Sequence, residues 1–280
     1  MKIVDVELTD GDAKHPEFNR PLLEQQDFKN LHAVVATPCY GGLINQGTVS
    51  GFLGSMFKAM HNGISLDFRF LSNESLIPRG RNNLVCQFLA SKATHLIFVD
   101  ADIEFSPDSL LRLLISNREV VTGAYPTKSM PPRYAVEFEQ NAEIDSQKFI
   151  EIKRAATGFL CIKRSVFEKM KEAYPELHYE SDIEALYGFE NLPEEQKPSE
   201  DQIKILKENL YSFFDTSHHP ETNEYLSEDY TFSERWTKIG GKIWLDTTCH
   251  LAHIGSISFQ VKSEELKTLF VNKGKEINGQ

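Results

Sequence analysis

The stretch Leu96-Ile97-Phe98-Val99-Asp100-Ala101-Asp102-Ile103-Glu104-Phe105 constrains this chain more than any other. Leu96 to Val99 is a short apolar run of the kind that forms a strand buried on both faces. It stops at two carboxylates spaced i and i+2, which on a strand would share one face. Because the strand is ending, a turn can aim both into a cleft. Two carboxylates beside an apolar core repel each other and lose hydration. A hard divalent cation with oxygen ligands is one natural remedy. A strand-ending turn that simply contains two Asp residues is the plainer alternative. Ser106, Pro107 and Asp108 follow, then Leu110, Leu111, Leu113 and Leu114. Ser106 suits an N-cap, Pro107 the first helical position, and Asp108 the positive end of a helix. The acidic pair thus sits in a strand-to-helix turn, at the carboxyl end of a strand, where open α/β sheets bind ligands.

The same reading extends along the chain. Strands are expected at 31–37, 66–71 and 119–123, and helices at 47–62, 81–93, 166–173 and 231–239. The 47–62 helix carries Val49, Phe52, Leu53, Met56, Phe57 and Met60 at helical spacing. Residues 134–138 and 149–154 alternate and can pair antiparallel; 124–134 is a Pro-containing loop. Residues 1–30 read as a polar arm, and 175–225 as an acidic insertion or mobile lid with a strand-like island at Tyr211–Asp215. The expected fold class is α/β, with a mixed, mainly parallel central sheet flanked by helices.

Composition bounds the function. A formal net charge of −11 argues against broad binding to nucleic acid or anionic membrane. No apolar run approaches a membrane-spanning length, and Met1 to Asp10 lacks a signal-peptide pattern, so an intracellular, cytoplasmic setting is expected. Cys39, Cys86, Cys161 and Cys249 form no Cys-x-x-Cys pair and are expected to be reduced thiols.

Five features occur in order: Ala36-Thr37-Pro38 at a strand exit, the Asp100-x-Asp102 turn, Gly158 opening a strand, Leu226-Ser227-Glu228-Asp229 before a helix, and Ala252-His253-Ile254-Gly255. This pattern resembles the GT-A superfamily of nucleotide-sugar glycosyltransferases. It is most similar to small bacterial and bacteriophage members of the family 2 type that carry Arg-x-Arg-Asn, here Arg79 to Asn82, before the acidic turn. The resemblance spans about 31–259. It implies one GT-A, Rossmann-like catalytic domain over 31–260, with a nucleotide-sugar half at 31–125 and an acceptor half at 126–260, and a tail at 261–280.

The resemblance also implies roles. Asp102 would bind Mn²⁺ or Mg²⁺ directly, and His253 would add an imidazole. Asp100 would bind the metal, or the ribose and a metal-bound water. Thr37, Pro38 and Tyr40 would line the nucleotide pocket with Ala101, and Arg79 and Arg81 would contact phosphate or base. Asp229 would act as general base on the acceptor hydroxyl, assisted by Glu228, if the reaction inverts the anomeric carbon. The implied activity is metal-dependent transfer, of a hexose by preference, from a nucleotide diphosphate sugar (UDP-sugar preferred) to a hydroxyl acceptor. Polysaccharide, protein, small-molecule and nucleic-acid acceptors all stay open, with the last disfavoured by charge. Two alternatives remain. One is a nucleotidyltransferase of related fold, although Cys39 to Leu43 has no Lys or Arg to hold a triphosphate. The other is a nucleotide-sugar-binding module without turnover.

Overall fold

The acidic turn lies near the middle of a broad mixed sheet. The computed structural model describes residues 28–260 apart from Met130, Pro132, Gln140, Asn141, Ser256 and Ile257. The expected tail and nearly all of the expected arm therefore lie outside the described residues. The first half runs β1 (His32–Cys39), α1 (Gln46–His61), β2 (Ser65–Ser72), α2 (Ile77–Leu89), β3 (His95–Val99), β4 (Ile103–Phe105), α3 (Pro107–Ile115) and β5 (Val120–Gly123). The second runs β6 (Val136–Phe138), β7 (Phe149–Ala155), β8 (Phe159–Lys163), α4 (Arg164–Ala173), α5 (Ile183–Tyr187) and α6 (Glu200–Glu208). It then continues through β9 (Ser217–His218), β10 (Tyr225–Leu226), α7 (Glu228–Lys238), β11 (Ile243–Asp246), β12 (Leu251–Ile254) and β13 (Ser258–Gln260).

Among the described residues the central sheet has eight strands in the order β2-β1-β3-β8-β5-β11-β7-β6. Pairing is parallel for β1 with β2, β1 with β3 and β5 with β11, and antiparallel at the other joints. Following direction across the sheet, only β7 and β8 run against the other six, so the sheet is mixed and mainly parallel, a Rossmann-like α/β architecture. Every residue of β3 is buried, as its unbroken apolar run requires. Helices cover both faces. One apolar layer gathers Val85, Phe88, Phe167, Phe213 and Trp236, and the other Phe52, Phe105, Leu110, Leu114 and Phe159.

A second sheet, β13-β12-β4, sits at the carboxyl end of the first. A helix was expected directly after the acidic turn; β4 intervenes. It pairs antiparallel with β12, with Ile103 opposite His253. Ser106 then caps α3 as expected, its hydroxyl accepting from the Ser109 amide at 3.2 Å.

Several local expectations need correction. Helix α2 begins at Ile77, not Arg81, because Pro78 suits the first helical turn. Helix α1 has close to its predicted extent, but most of its large apolar residues face away from the core. Val49, Leu53, Phe57 and Met60 are exposed, while Thr48, Gly51, Gly54, Ser55 and Ala59 join Phe52 inside. The cause is close approach. A Cβ on Gly51 would come within 2.7 Å of the Phe105 ring, and one on Gly54 within 2.5 Å of Pro107 Cγ. Tyr211–Asp215 forms no strand. Tyr211 makes a single antiparallel bridge to His178, and Phe213 and Phe214 are both fully buried in the core. Asn82 fixes them, giving its side-chain N–H to the Phe214 carbonyl (2.7 Å) and accepting the Phe214 amide (2.9 Å). The 175–225 segment is thereby tied to α2, and Ile183, Leu206 and Leu210 pack with Cys86. All four cysteines are free and buried. Among the described residues no helix is long and apolar enough to cross a membrane.

Candidate functional site

The turn after β3 is held from three sides. The Asp100 amide donates to the Gly158 carbonyl (2.9 Å), continuing the β3–β8 ladder by one residue. The Asn45 amide, at the start of α1, donates to the Ala101 carbonyl (2.8 Å). The Thr48 hydroxyl reaches the Ile103 carbonyl (2.8 Å). On the far side the Ile254 amide donates to the Asp102 carbonyl (2.8 Å). These bonds fix the backbone on which the two carboxylates stand.

Beside the turn is an open cleft of about 720 Å³, within the range of small-molecule sites. Pro38, Tyr40, Leu43, Ile44, Ile77 and Ala101 give it apolar lining, and Arg81, Asp100 and Asp102 give it charge. Tyr40 is 70% exposed, an open ring available for stacking. Thr37 was expected to line this cleft and does not: it is fully buried within β1, because alternation turns it into the sheet's cover. Arg79 is also elsewhere. Its guanidinium grips Glu74 with Nε and Nη2 (2.7 and 2.9 Å), a forked pair at the start of α2.

Arg81 is buried and works as a clasp. Its Nη2 donates to Asp100 Oδ1 (3.1 Å) and its Nε to Glu228 Oε1 (3.3 Å), across most of the chain. Its guanidinium lies 5.2 Å from the centre of the Phe98 ring. Burial opposes its charge, but Asp100 and Glu228 outweigh that and raise its pKa. Its Nη1 is buried without a hydrogen-bond partner. The clasp joins the acidic turn to the start of α7, where Asp229 follows Glu228. Asp229 accepts from the Tyr230 amide (2.8 Å) and from the Ser227 hydroxyl. Burial, with Glu228 adding to it, raises the Asp229 pKa despite these donors and Arg81.

Asp102 faces the other way. Its Oδ1 lies 3.6 Å from His253 Nε2, and its Oδ2 is ion-paired with Lys128. Burial works against ionisation of Asp102, but His253 and Lys128 more than offset it and hold the pKa at about 2. His253 Nδ1 is 2.9 Å from the Pro126 carbonyl, a contact only an N–H can make. The Nδ1 proton is thereby fixed, so Nε2 points at the carboxylate either as a bare lone pair or carrying a second proton.

This donor set fits a divalent cation. With Nε2 unprotonated, a cation held between it and the Asp102 oxygen 3.6 Å away would take both lone pairs; with Nε2 protonated, the two side chains form an ion pair by themselves. The hydrogen bond behind the ring is the usual way a ligating imidazole is oriented. Asp102 and His253 would hold the ion. Asp100, the third expected ligand, is turned to Arg81 instead. Among the described residues no three Asp, Glu, His or Cys side chains converge as a ready metal cage.

Sequence reasoning missed two residues here. Lys128 lay in a loop marked only by its prolines. Tyr125, at the end of β5, is buried, and its hydroxyl accepts the Gly158 amide (2.9 Å). Burial, with Asp100 adding to it, keeps the phenol protonated. A Cβ on Gly158 would meet Tyr125 Oη at 2.4 Å and Asp100 Oδ2 at 3.0 Å, so only glycine fits.

No protein-family model matches the chain, and no curated protein does. Solved structures similar to it include A197 from STIV, at 14% identity and a TM-score of 0.45, covering 80% of this chain and 86% of that one. Another is the inositol-1-phosphate CTP transferase from T. maritima, at 10% identity and a TM-score of 0.34, covering 78% and 89%. A third is a mannose-1-phosphate geranyltransferase from Thermus thermophilus, at 12% identity and a TM-score of 0.34, covering 78% and 74%. Likeness at this level says nothing about chemistry.

Proposed function

We propose that the protein is a metal-dependent glycosyltransferase that takes a nucleotide diphosphate sugar, UDP-sugar by preference, and passes the sugar to a hydroxyl acceptor. One observation carries the reading: Asp102, which lines a cleft shared by charged and apolar residues, is met by the His253 imidazole from a distant part of the chain. The apolar lining, with Tyr40, suits a base; the acidic residues suit a diphosphate only together with a cation. A divalent ion there would neutralise the charge that builds on the departing diphosphate.

The chain's own residues would do the rest. Asp102 and His253 bind the ion, and Pro126 keeps the imidazole oriented. Arg81 holds Asp100 and Glu228 in register, so donor side and acceptor side keep their spacing. Asp229 accepts the proton of the acceptor hydroxyl as that oxygen attacks the anomeric carbon. A raised pKa makes it a better base than an ordinary carboxylate.

The test is release of UDP from a panel of UDP-sugars with Mn²⁺ or Mg²⁺, using D102N as the control. UDP release that D102N abolishes supports the reading. Pyrophosphate release from UTP and a sugar 1-phosphate, without UDP release, would make the protein a nucleotidyltransferase. Binding without either product would make it a binding module.

A further inference from the structure

We infer that Lys128 is a built-in counter-cation that exchanges between two anions. It sits on Asp102 when no divalent ion is bound, and moves to the donor's diphosphate once an ion has taken Asp102. The inference rests on the nucleotide diphosphate donor proposed above and assigns a donor-binding residue to it.

The geometry divides Asp102 between two cation sites. Oδ1 addresses His253, and Oδ2 carries the Lys128 ammonium. A divalent ion between Asp102 and His253 would have that ammonium as an immediate neighbour, and like charges at such a spacing repel. The Lys128–Asp102 pair is also easy to part. The side chains are 37% and 39% exposed, and exposed pairs hold weakly. The base of the loop is tied down. Pro126 bridges to Tyr134, the Thr127 amide donates to the Arg133 carbonyl (2.6 Å), and the Pro126 carbonyl anchors His253. The flexible four-carbon stem swings, then, rather than the backbone.

Its destination follows from what else surrounds the cleft. Arg81 is the other cation there, and two of its nitrogens are spent on Asp100 and Glu228 in a buried clasp. Among the described residues that line the cleft or pair with its wall, Lys128 alone carries a positive charge free to follow a ligand. When the bond from the anomeric carbon to the β-phosphate oxygen breaks, the electron pair stays on that oxygen and the diphosphate gains one negative charge. Lys128 meets that charge as an ammonium and transfers no proton. Having moved onto the diphosphate of the bound donor, the ammonium is in place when that charge develops.

The experiment titrates Mn²⁺ by its electron paramagnetic resonance signal, and UDP by calorimetry in saturating Mn²⁺. It uses wild type, K128Q, K128R and D102N, with thermal melts to confirm folding. Without nucleotide, K128Q should bind Mn²⁺ roughly fivefold more tightly than wild type, the upper end of what an exposed ion pair withholds. With Mn²⁺ present, K128Q should bind UDP about tenfold or more weakly, the loss of a charge-assisted contact to phosphate. K128R should restore both toward wild type. A surface lysine without this role would move neither affinity. Mn²⁺ binding that D102N abolishes, with K128Q equal to wild type in both titrations, overturns the Lys128 exchange and leaves the metal site standing. Mn²⁺ binding that none of the variants alters, or no binding at all, overturns both.

Discussion

His253 Nε2 stands 3.6 Å from Asp102 Oδ1, although the two residues lie in different halves of the chain. The contact is made by register. Strand β12 pairs with β4 so that His253 is opposite Ile103, and the Ile254 amide closes on the Asp102 carbonyl at 2.8 Å. Both side chains thus stand on hydrogen-bonded backbone, which keeps the donor pair preorganised.

If that pair binds the ion, either D102N or H253A should lower sugar transfer about 100-fold or more, the scale of charge stabilisation a metal supplies. Both variants should stay folded, with D102N melting somewhat below wild type at neutral pH because the lowered Asp102 pKa means that the fold favours its ionised form. Excess chelator should give the same loss in wild type, and added Mn²⁺ should reverse it. Initial-rate assays with melting curves decide the matter; full activity in D102N would refute the role.

Asp229 makes a prediction of opposite sign for activity and stability. Burial raises its pKa. The folded protein therefore holds that proton more tightly than the unfolded chain, and the fold is penalised once the group ionises. The penalty is absent below the unfolded value, about 3.9, and complete above the raised folded one. D229N should melt higher than wild type at neutral pH, and the gap should close as pH falls toward that unfolded value. The same variant should lose about 100-fold or more in turnover. The acid limb of the wild-type rate profile should lie above that of an unperturbed aspartate. A D229N protein that melts lower than wild type at pH 7 would count against this.

Gly158 carries a steric prediction. In G158A the new methyl would lie 2.4 Å from Tyr125 Oη and 3.0 Å from Asp100 Oδ2. Tyr125 is fully packed, so the ring cannot simply rotate away. Overpacking of this kind costs about 1–3 kcal/mol, and a urea melt should show it. UDP binding should weaken as well, because displaced Asp100 pulls on the Arg81 clasp. Unchanged stability together with unchanged UDP affinity would show that the turn is softer than its hydrogen bonds imply.

What sequence could reveal here was local chemistry. The β3 run, the acidic turn, the Ser106 cap and the antiparallel β6–β7 pair are each set by residues close together, and each is where periodicity predicts it. What it could not reveal was choice of partner. Arg79 and Arg81 look alike in the chain. One reaches Glu74 on the surface, while the other is buried between Asp100 and Glu228. Lys128 carries no local mark at all, since its meaning comes from Asp102 across a loop. Phe213 and Phe214 suggested a strand because aromatic residues favour strands; the core took both side chains instead.

Helix α1 gives the clearest case of tertiary packing overriding pattern, and it can be tested. Its large apolar residues recur at helical spacing, yet Leu53 is 51% and Phe57 65% exposed. The inward face is small because β4 and the start of α3 press against it, leaving no room at Gly51 or Gly54. The two faces should therefore respond in the reverse of the usual hydrophobic rule. F57S and L53S should change stability by no more than about 0.5 kcal/mol. G51V should cost about 1–3 kcal/mol, the scale of overpacking. G51V should also weaken UDP binding, because the same helix start holds the Ala101 and Ile103 carbonyls through Asn45 and Thr48. Chemical denaturation of the three variants measures the contrast. If F57S proves as destabilising as G51V, the helix is rotated the other way and the backing of the acidic turn must be redrawn.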